Sequence, residues 1–428
     1  MKLDGKLGRR AVLAGAALTL AAPALRAQTQ ARVNIFAHRV HRTVATGAQG
    51  GDITEAWARE NNAAVEWVTF DTGPLQDRLL REASLADSTV DIGFILNTQA
   101  TPRIATLFEP LDDLMRQAPI EELGDVFPGM LDGLKVGGRL YGLPFRHASS
   151  GMHYNETFFE ERGISGPPRT IEDLAEFARR TTWSRNGQPV VGLVLPGVTY
   201  PNVIDIARAW DGEFITPDMR VVASEKPMVN AITLLRDLFV AGAFPRSFTA
   251  INTEDVNLWM QTGRAAMVVN SMGRNAIYND PARSQFPGKI KTTTIPISRE
   301  FSNKFEVAPA KVEFWGMAIP KNAKNKERAW SLMRTMLSKD STLRAALNGN
   351  GPVRNSTYDD ARVRAQLPFA DDERKVLRVA RVPMPAFDNA QRAADFFKEE
   401  AEAAVLGMKT PQAAMDDLTR RVRPLLQS

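Results

Sequence analysis

No cysteine occurs in the 428 residues, which excludes disulfides, thiolate metal centres, iron–sulfur clusters and a lipid-bearing N-terminal cysteine. No G-x-S-x-G, H-E-x-x-H, G-x-G-x-x-G or P-loop pattern is present. The local signatures of serine hydrolases, zinc proteases, dinucleotide enzymes and nucleotide triphosphatases are therefore missing. Beyond residue 22 no apolar run approaches the roughly 18 residues of a membrane-spanning helix. Internal repeats, low-complexity tracts and coiled-coil heptads are absent too. What remains is an ordinary globular composition, 44% hydrophobic and 24% charged, in a chain long enough for two domains with separate cores.

A charge surplus is also lacking once the first residues are set aside. Lys2, Lys6, Arg9 and Arg10 precede an apolar run from Ala11 to Ala22, and Leu25, Arg26 and Ala27 offer a cleavage site, so residues 1–27 are expected to be an export signal. Arg9 and Arg10, followed by Ala11, Val12 and Leu13, resemble the twin-arginine export motif. An ordinary secretory signal also accommodates two arginines, and both routes stay open. The segment carries five of the 54 basic side chains and one of the 49 acidic ones, which leaves 49 against 48, a net of +1. The basic character thus belongs mostly to the signal and gives no support for nucleic-acid binding.

Hydrophobic patterning then divides the chain. Val33 to Ala37 is a short apolar strand, Ala64 to Phe70 alternates like a second strand, and Ile53 to Glu60 between them reads as a helix. An amphipathic segment from Leu75 to Ala86 feeds Asp91 to Leu96, apolar on both faces as a buried parallel strand should be. Strand–helix–strand–helix–strand at this spacing predicts a doubly wound α/β lobe. A second α/β region is predicted from Tyr154 to about Ile295. It holds a helix over Ile171–Arg180, a strand over Val190–Leu195, a helix near Val203–Ala209 and a strongly periodic helix over Pro227–Ala241. Trp57, Trp67, Trp183 and Trp330 fall at core spacing and read as packing.

The richest segment runs from Gly138 to Asp173. Gly138, Tyr141, Gly142 and Pro144 come first, then a polar patch of Arg146, His147, Ser149 and Ser150, then Tyr154 and Asn155. Phe158, Phe159, Gly163 and Pro168 follow, and Thr170 opens a helix as a capping box with Asp173. This ordered set resembles the lobe-to-lobe crossing of the family 1 extracellular solute-binding proteins of ABC importers, which include the maltose-binding proteins. Gly263 to Asn270 resembles that family's G-x-A-A-M strand, and Phe314 to Lys321 with the helix Lys326–Leu337 resembles its return crossing. Gly351 to Arg354 and a last helix capped by Thr410 with Pro411 at its first turn also match.

The resemblance implies a two-lobed periplasmic-binding-protein fold of type II, with each lobe a doubly wound α/β sheet flanked by helices and a multi-strand hinge between them. Its parts would be residues 28–143 and 313–350 for the first lobe, 144–295 for the second, 296–312 as a hinge crossing, and 351–428 as helices associated with the second lobe. Further crossings are expected at Pro144 and near Gly351–Pro352. It implies a periplasmic, monomeric receptor without cofactor or metal, whose partners are a small solute and a membrane permease.

Ligands in such folds gather beyond the C-terminal ends of strands. That places His38, Arg39, His41 and Arg42 after the first strand, Asn97, Thr98 and Gln99 after the third, and Arg146 and His147 at the crossing. Asn270 and Arg274 follow the Met267 strand, and Trp315 sits at the return crossing. Tyr200, Trp210 and Phe387 are candidate aromatic platforms, with Asp388 a candidate hydroxyl acceptor. The arginines and histidines could form an electropositive pocket for an acid-bearing ligand, or the arginines could pair with carboxylates across the lobes. His38-x-x-His41 could hold a metal but shows no acidic or Cys partner nearby. Met272 and Gly273 stand where maltose-binding relatives carry a Trp, and Pro383 to Asp388 where they carry another; these departures count against maltodextrin and leave a smaller or more polar solute open. A sugar, sugar acid, polyol or glycerol-phosphate-like compound fits best. A non-sugar anion, a receptor that also reports to a chemosensor, and a periplasmic enzyme acting on carbohydrate remain as alternatives.

Overall fold

The computed structural model describes residues 30–426; the expected export signal lies outside the described residues. One sheet organises them. Its strands are β1 (Ala31–His38), β2 (Ala63–Phe70), β3 (Ile92–Leu96), β4 (Leu143–Asn155), β5 (Trp183–Arg185), β6 (Gln188–Val194), β7 (Ala265–Ser271), β8 (Ile290–Thr293) and β9 (Val312–Ala318). The order is β2-β1-β3-β9-β4-β7-β6-β5, with β8 also paired to β4. In the first lobe β1 runs parallel to β2 and β3, as the βαβ spacing predicts, and β9 returns antiparallel between β3 and β4. In the second lobe β7 lies antiparallel to β4 and parallel to β6. β3 is buried along nearly its whole length, and Gly93 is required there: a Cβ at that position would sit 2.4 Å from Leu79 of the helix Thr72–Ala83.

β4 joins the lobes. The polar patch around Arg146 reads as an interruption between two extended pieces, yet the strand is continuous over 13 residues. Leu143 to Ser149 pair with β9, and Ser150 to Tyr154 pair with β7, so the same strand serves the first lobe and then the second. A second passage precedes β9, where Lys311 O accepts from Ser150 N–H at 3.1 Å. The third lies at Arg381 rather than near Gly351–Pro352: Val312 N–H donates to Arg381 O at 2.9 Å, and Arg381 N–H donates to Ala310 O at 3.2 Å. Gly351 instead lies tight under β4, where a Cβ would be 2.5 Å from His147 O.

Buried, paired charges fasten the passages. Asp205 Oδ1 accepts from Lys311 N–H at 2.7 Å while Asp205 Oδ2 holds Lys311 Nζ at 3.0 Å, both side chains buried. Removing one partner would strand the other in low dielectric, so such pairs fix geometry more than they add stability.

The helices follow their sequence signals closely. Ile171–Arg180 carries the predicted reciprocal box, with Thr170 Oγ1 accepting from Asp173 N–H and Asp173 accepting from Thr170 N–H. Lys226–Val240 and Pro411–Val422 also form, the latter capped by Thr410. Of the C-terminal helices, Ala390–Val405 and Pro411–Val422 pack on Lys226–Val240 of the second lobe. Ala370–Val379 packs instead on β4 and on Pro128–Asp132 of the first lobe, anchored by buried Glu373. Trp57 and Trp330 are core residues as expected, with their indole N–H groups donating to Ser331 Oγ and Ala118 O.

Candidate functional site

Side chains alternate across a strand, so β4 and β9 present two different faces at the passage. Register pairs Arg146 with Trp315 and Ala148 with Glu313, which puts these four on one face. Ala148 is exposed there and the other three are half-buried. His38 reaches the same place from the end of β1, its ring centroid 6.2 Å from that of Trp315. From the second lobe comes Tyr200, the first residue of the helix Tyr200–Ala207. Burial, and after it the Glu313 carboxylate, push the Tyr200 phenol up to about 12.

The two charges on this face lack counter-ions. Arg146 Nη1 lies 3.5 Å from Gly349 O and from Asn350 Oδ1, the outer limit of a hydrogen bond, and no carboxylate pairs with it among the described residues. Burial pulls its guanidinium below its usual range, though an arginine stays charged. Glu313 likewise has no hydrogen-bond or ion-pair partner among the described residues. An unpaired fork of donors, an unpaired acceptor and an indole ring together can hold a small polyhydroxylated molecule by its hydroxyls and its apolar face.

The histidines behave differently from the electropositive cluster the sequence suggests. Residues 39–45 form a helix, not a loop, and His38 caps it: Val40 N–H donates to His38 Nδ1, and His38 N–H donates to His41 Nδ1, each at 3.2 Å. Both Nδ1 atoms are thereby committed to the backbone, which makes the pair a helix cap rather than metal ligands. His41 is buried, stacked on Phe94 at 4.3 Å and edge-on to Trp315 at 4.9 Å, and burial lowers its pKa well below the usual imidazole value. It supports the Trp315 platform as a neutral ring.

His147 does not join Arg146. Being the next residue on the strand it faces the opposite way, buried, with Nε2 3.3 Å from Tyr358 Oη. Tyr358 O–H donates to Glu373 Oε2 at 2.8 Å, and Ser149 O–H donates to Glu373 Oε1 at 2.7 Å. Other candidates are dispersed. Arg39 makes an exposed ion pair with Asp71 at 3.4 Å, and Arg42 is exposed on its helix. Thr98 is half-buried in the turn after β3. Asn270 Nδ2 donates to Tyr278 Oη at 3.0 Å, inside the second lobe, and Arg274 follows half-buried. Trp210 lies in a hollow with Glu172 and Leu234. Asn97, Phe387 and Asp388 line a separate cavity of about 710 Å³. Glu313 and Ala148 were missed by sequence reasoning, although the period-two step from Glu313 to Trp315 marks the first of them.

The two lobes, the crossing strands and the polar face between them define a hinged receptor for a small solute. Comparison with known proteins agrees: the family model of the bacterial extracellular solute-binding proteins matches residues 48–342, and the chain belongs to that family. A probable ABC transporter-binding protein of Deinococcus radiodurans is 24% identical over 348 residues, 78% of this chain and 80% of that protein. A mannitol-binding protein of Pseudomonas aeruginosa is 24% identical over 323 residues, 72% of this chain and 70% of the relative. Among solved structures, the sugar-binding protein MalE of Xanthomonas citri aligns with a TM-score of 0.78 at 18% identity, covering 92% of this chain and 97% of that one. A solute-binding protein of Agrobacterium radiobacter K84 in complex with ribitol aligns with a TM-score of 0.69 at 22% identity, covering 92% and 98%. These likenesses show the two-lobed fold. Among the described residues no helix is long and apolar enough to cross a membrane.

Proposed function

We propose that this chain is the periplasmic receptor of an ABC importer, acting as a monomer to capture a sugar or polyol on the Arg146 face and deliver it to the membrane permease. The observation that carries this is the pair of charges without counter-ions among the described residues, Arg146 and Glu313, beside Trp315 on the open face of strands shared by both lobes. Arg146 donates to solute hydroxyls, Glu313 accepts from them, Trp315 packs against the carbon skeleton, and Tyr200 approaches from the second lobe. A solute touching both lobes binds the closed arrangement more tightly than the open one and shifts the hinge by that difference. No bond is made or broken. The mannitol-binding relative and the ribitol complex support a sugar or polyol as the solute class.

A sugar acid is a second reading, favoured by the missing counter-ion of Arg146. Thermal denaturation of the chain from Gln28, against mannitol, ribitol, maltose, gluconate, a glycerophosphodiester and an amino acid panel, separates the two. A solute that binds only the native state raises the midpoint by mass action. A neutral polyol or sugar is expected to give the largest rise, whereas gluconate above all others would establish the sugar acid. No shift with any sugar-derived compound would overturn both.

A further inference from the structure

The cavity of about 710 Å³ lies outside the solute face. Gly133 and Val382, which line it, lie against Phe314: a Cβ on Gly133 would be 2.8 Å from the Phe314 ring and 2.7 Å from Val382. Phe314 alternates with Glu313 and Trp315 along β9, so the cavity is on the opposite side of the crossing strands from Arg146. We propose that it is a second small-molecule site, taking a neutral amphipathic compound with an apolar body and one hydrogen-bond acceptor.

Its volume falls in the ordinary range of ligand pockets, roughly 300–1,000 Å³. Its apolar walls come from both lobes, with Val136 on one side and Ile215, Met384 and Phe387 on the other. Polar and charged side chains complete the wall. Asn97, 3% exposed, lines the cavity; its Oδ1 accepts from Phe314 N–H at 3.0 Å, so its amide NH₂ is directed elsewhere and has no partner. A buried donor left unpaired carries a desolvation penalty that a ligand acceptor would offset. Arg208, fully buried in the same wall, spends its Nη groups on Arg381 O, Val382 O and Glu213 and leaves Nε unpaired. The charges around the cavity largely cancel: Lys135 pairs with Asp132 at 2.7 Å, Glu213 answers both Arg208 and Arg381, and Arg378 and Asp388, also in the lining, carry opposite signs. A charged ligand would therefore gain little over a neutral one. Because both lobes wall the cavity, whatever fills it favours the lobe separation at which it has this width.

The test uses 6-propionyl-2-dimethylaminonaphthalene, a neutral dye with a fused apolar ring pair and one ketone acceptor, whose emission brightens and moves to the blue on leaving water. Titrated onto the chain from Gln28 without any sugar, it is expected to show one saturable blue-shifted site. Ala386→Trp, which fills the cavity from the second-lobe side, should abolish that signal; Val136→Phe, from the first lobe, serves if the former fails to fold. Arg146→Ala should leave it unchanged. Asn97→Asp keeps an acceptor for Phe314 but removes the donor, and should weaken the dye by about tenfold. A dye with no saturable shift, one indifferent to both filling variants, or one lost with Arg146→Ala would overturn the second site. None of these outcomes bears on whether the Arg146 face binds a sugar.

Discussion

Arg146 and His147 are consecutive on one strand and have opposite surroundings. On the His147 side the polar side chains are tied to one another: Ser149, Tyr358 and His147 converge on or around Glu373, all four buried, and the helix Ala370–Val379 closes over them. On the Arg146 side the charges are left waiting, with Ala148 open to solvent and Glu313 unpaired. The same passage between lobes thus has a side built for cohesion and a side that, on the proposed reading, serves recognition. Buried polar groups are ordinarily satisfied, and unsatisfied charges at a half-buried strand face mark a place where something else binds.

The largest expected effect lies on the cohesive side. Glu373→Ala leaves Ser149 and Tyr358 hydroxyls buried without acceptors and should destabilise the fold by about 3 kcal/mol in urea denaturation. Solute affinity, measured well below the unfolding transition, should change little. Acid should act on His147 of this network and on two buried histidines outside it. His153, farther along β4, is buried with its pKa lowered to about 4 by burial, and burial also lowers His41 and His147 from the usual imidazole value. Each folded-state pKa is depressed, so the unfolded chain binds more protons below pH ~6.5 and stability is lost as pH falls from there toward 4. For His153 alone the loss amounts to about 3 kcal/mol, and His153→Gln should flatten the urea midpoint against pH over that window.

On the recognition side the effects are smaller and of another kind. Arg146→Ala should cost about 2 kcal/mol of solute binding, near thirtyfold in Kd, while moving stability by less than ~0.5 kcal/mol. Trp315→Leu should cost about 1 kcal/mol of binding, seen by calorimetry as weaker affinity with the stoichiometry kept. If Trp315→Leu instead unfolds the protein, the ring is part of the core with His41 and Phe94, and the two sides differ less than the geometry indicates.

Much of this architecture is legible in the amino-acid order. The buried strand Ile92–Leu96, the capping box at Thr170 and the Thr410–Pro411 helix start depend on local signals that survive in the fold. The site is harder because it depends on which way a strand's side chains point. A polar run such as Arg146, His147, Ser149 and Ser150 looks uniform until period two divides it, and only the register with β9 tells which half is covered. His38 and His41 are ambiguous for a different reason: imidazole nitrogens capping a helix are indistinguishable in sequence from imidazoles awaiting a ligand. The third passage at Arg381 is invisible because a short extended segment with a single bridge, to Lys311, carries no pattern of its own.

The most direct test is a pair of titrations with the solute that most raises the thermal midpoint, using Arg146→Gln and His147→Gln. If the solute rests on the open face of the crossing strands, the first change weakens binding by an order of magnitude or more and the second leaves Kd within about twofold, whatever it does to stability. Equal losses in the two variants, or a loss with His147→Gln alone, would contradict the division of the strand into a cohesive side and a binding side.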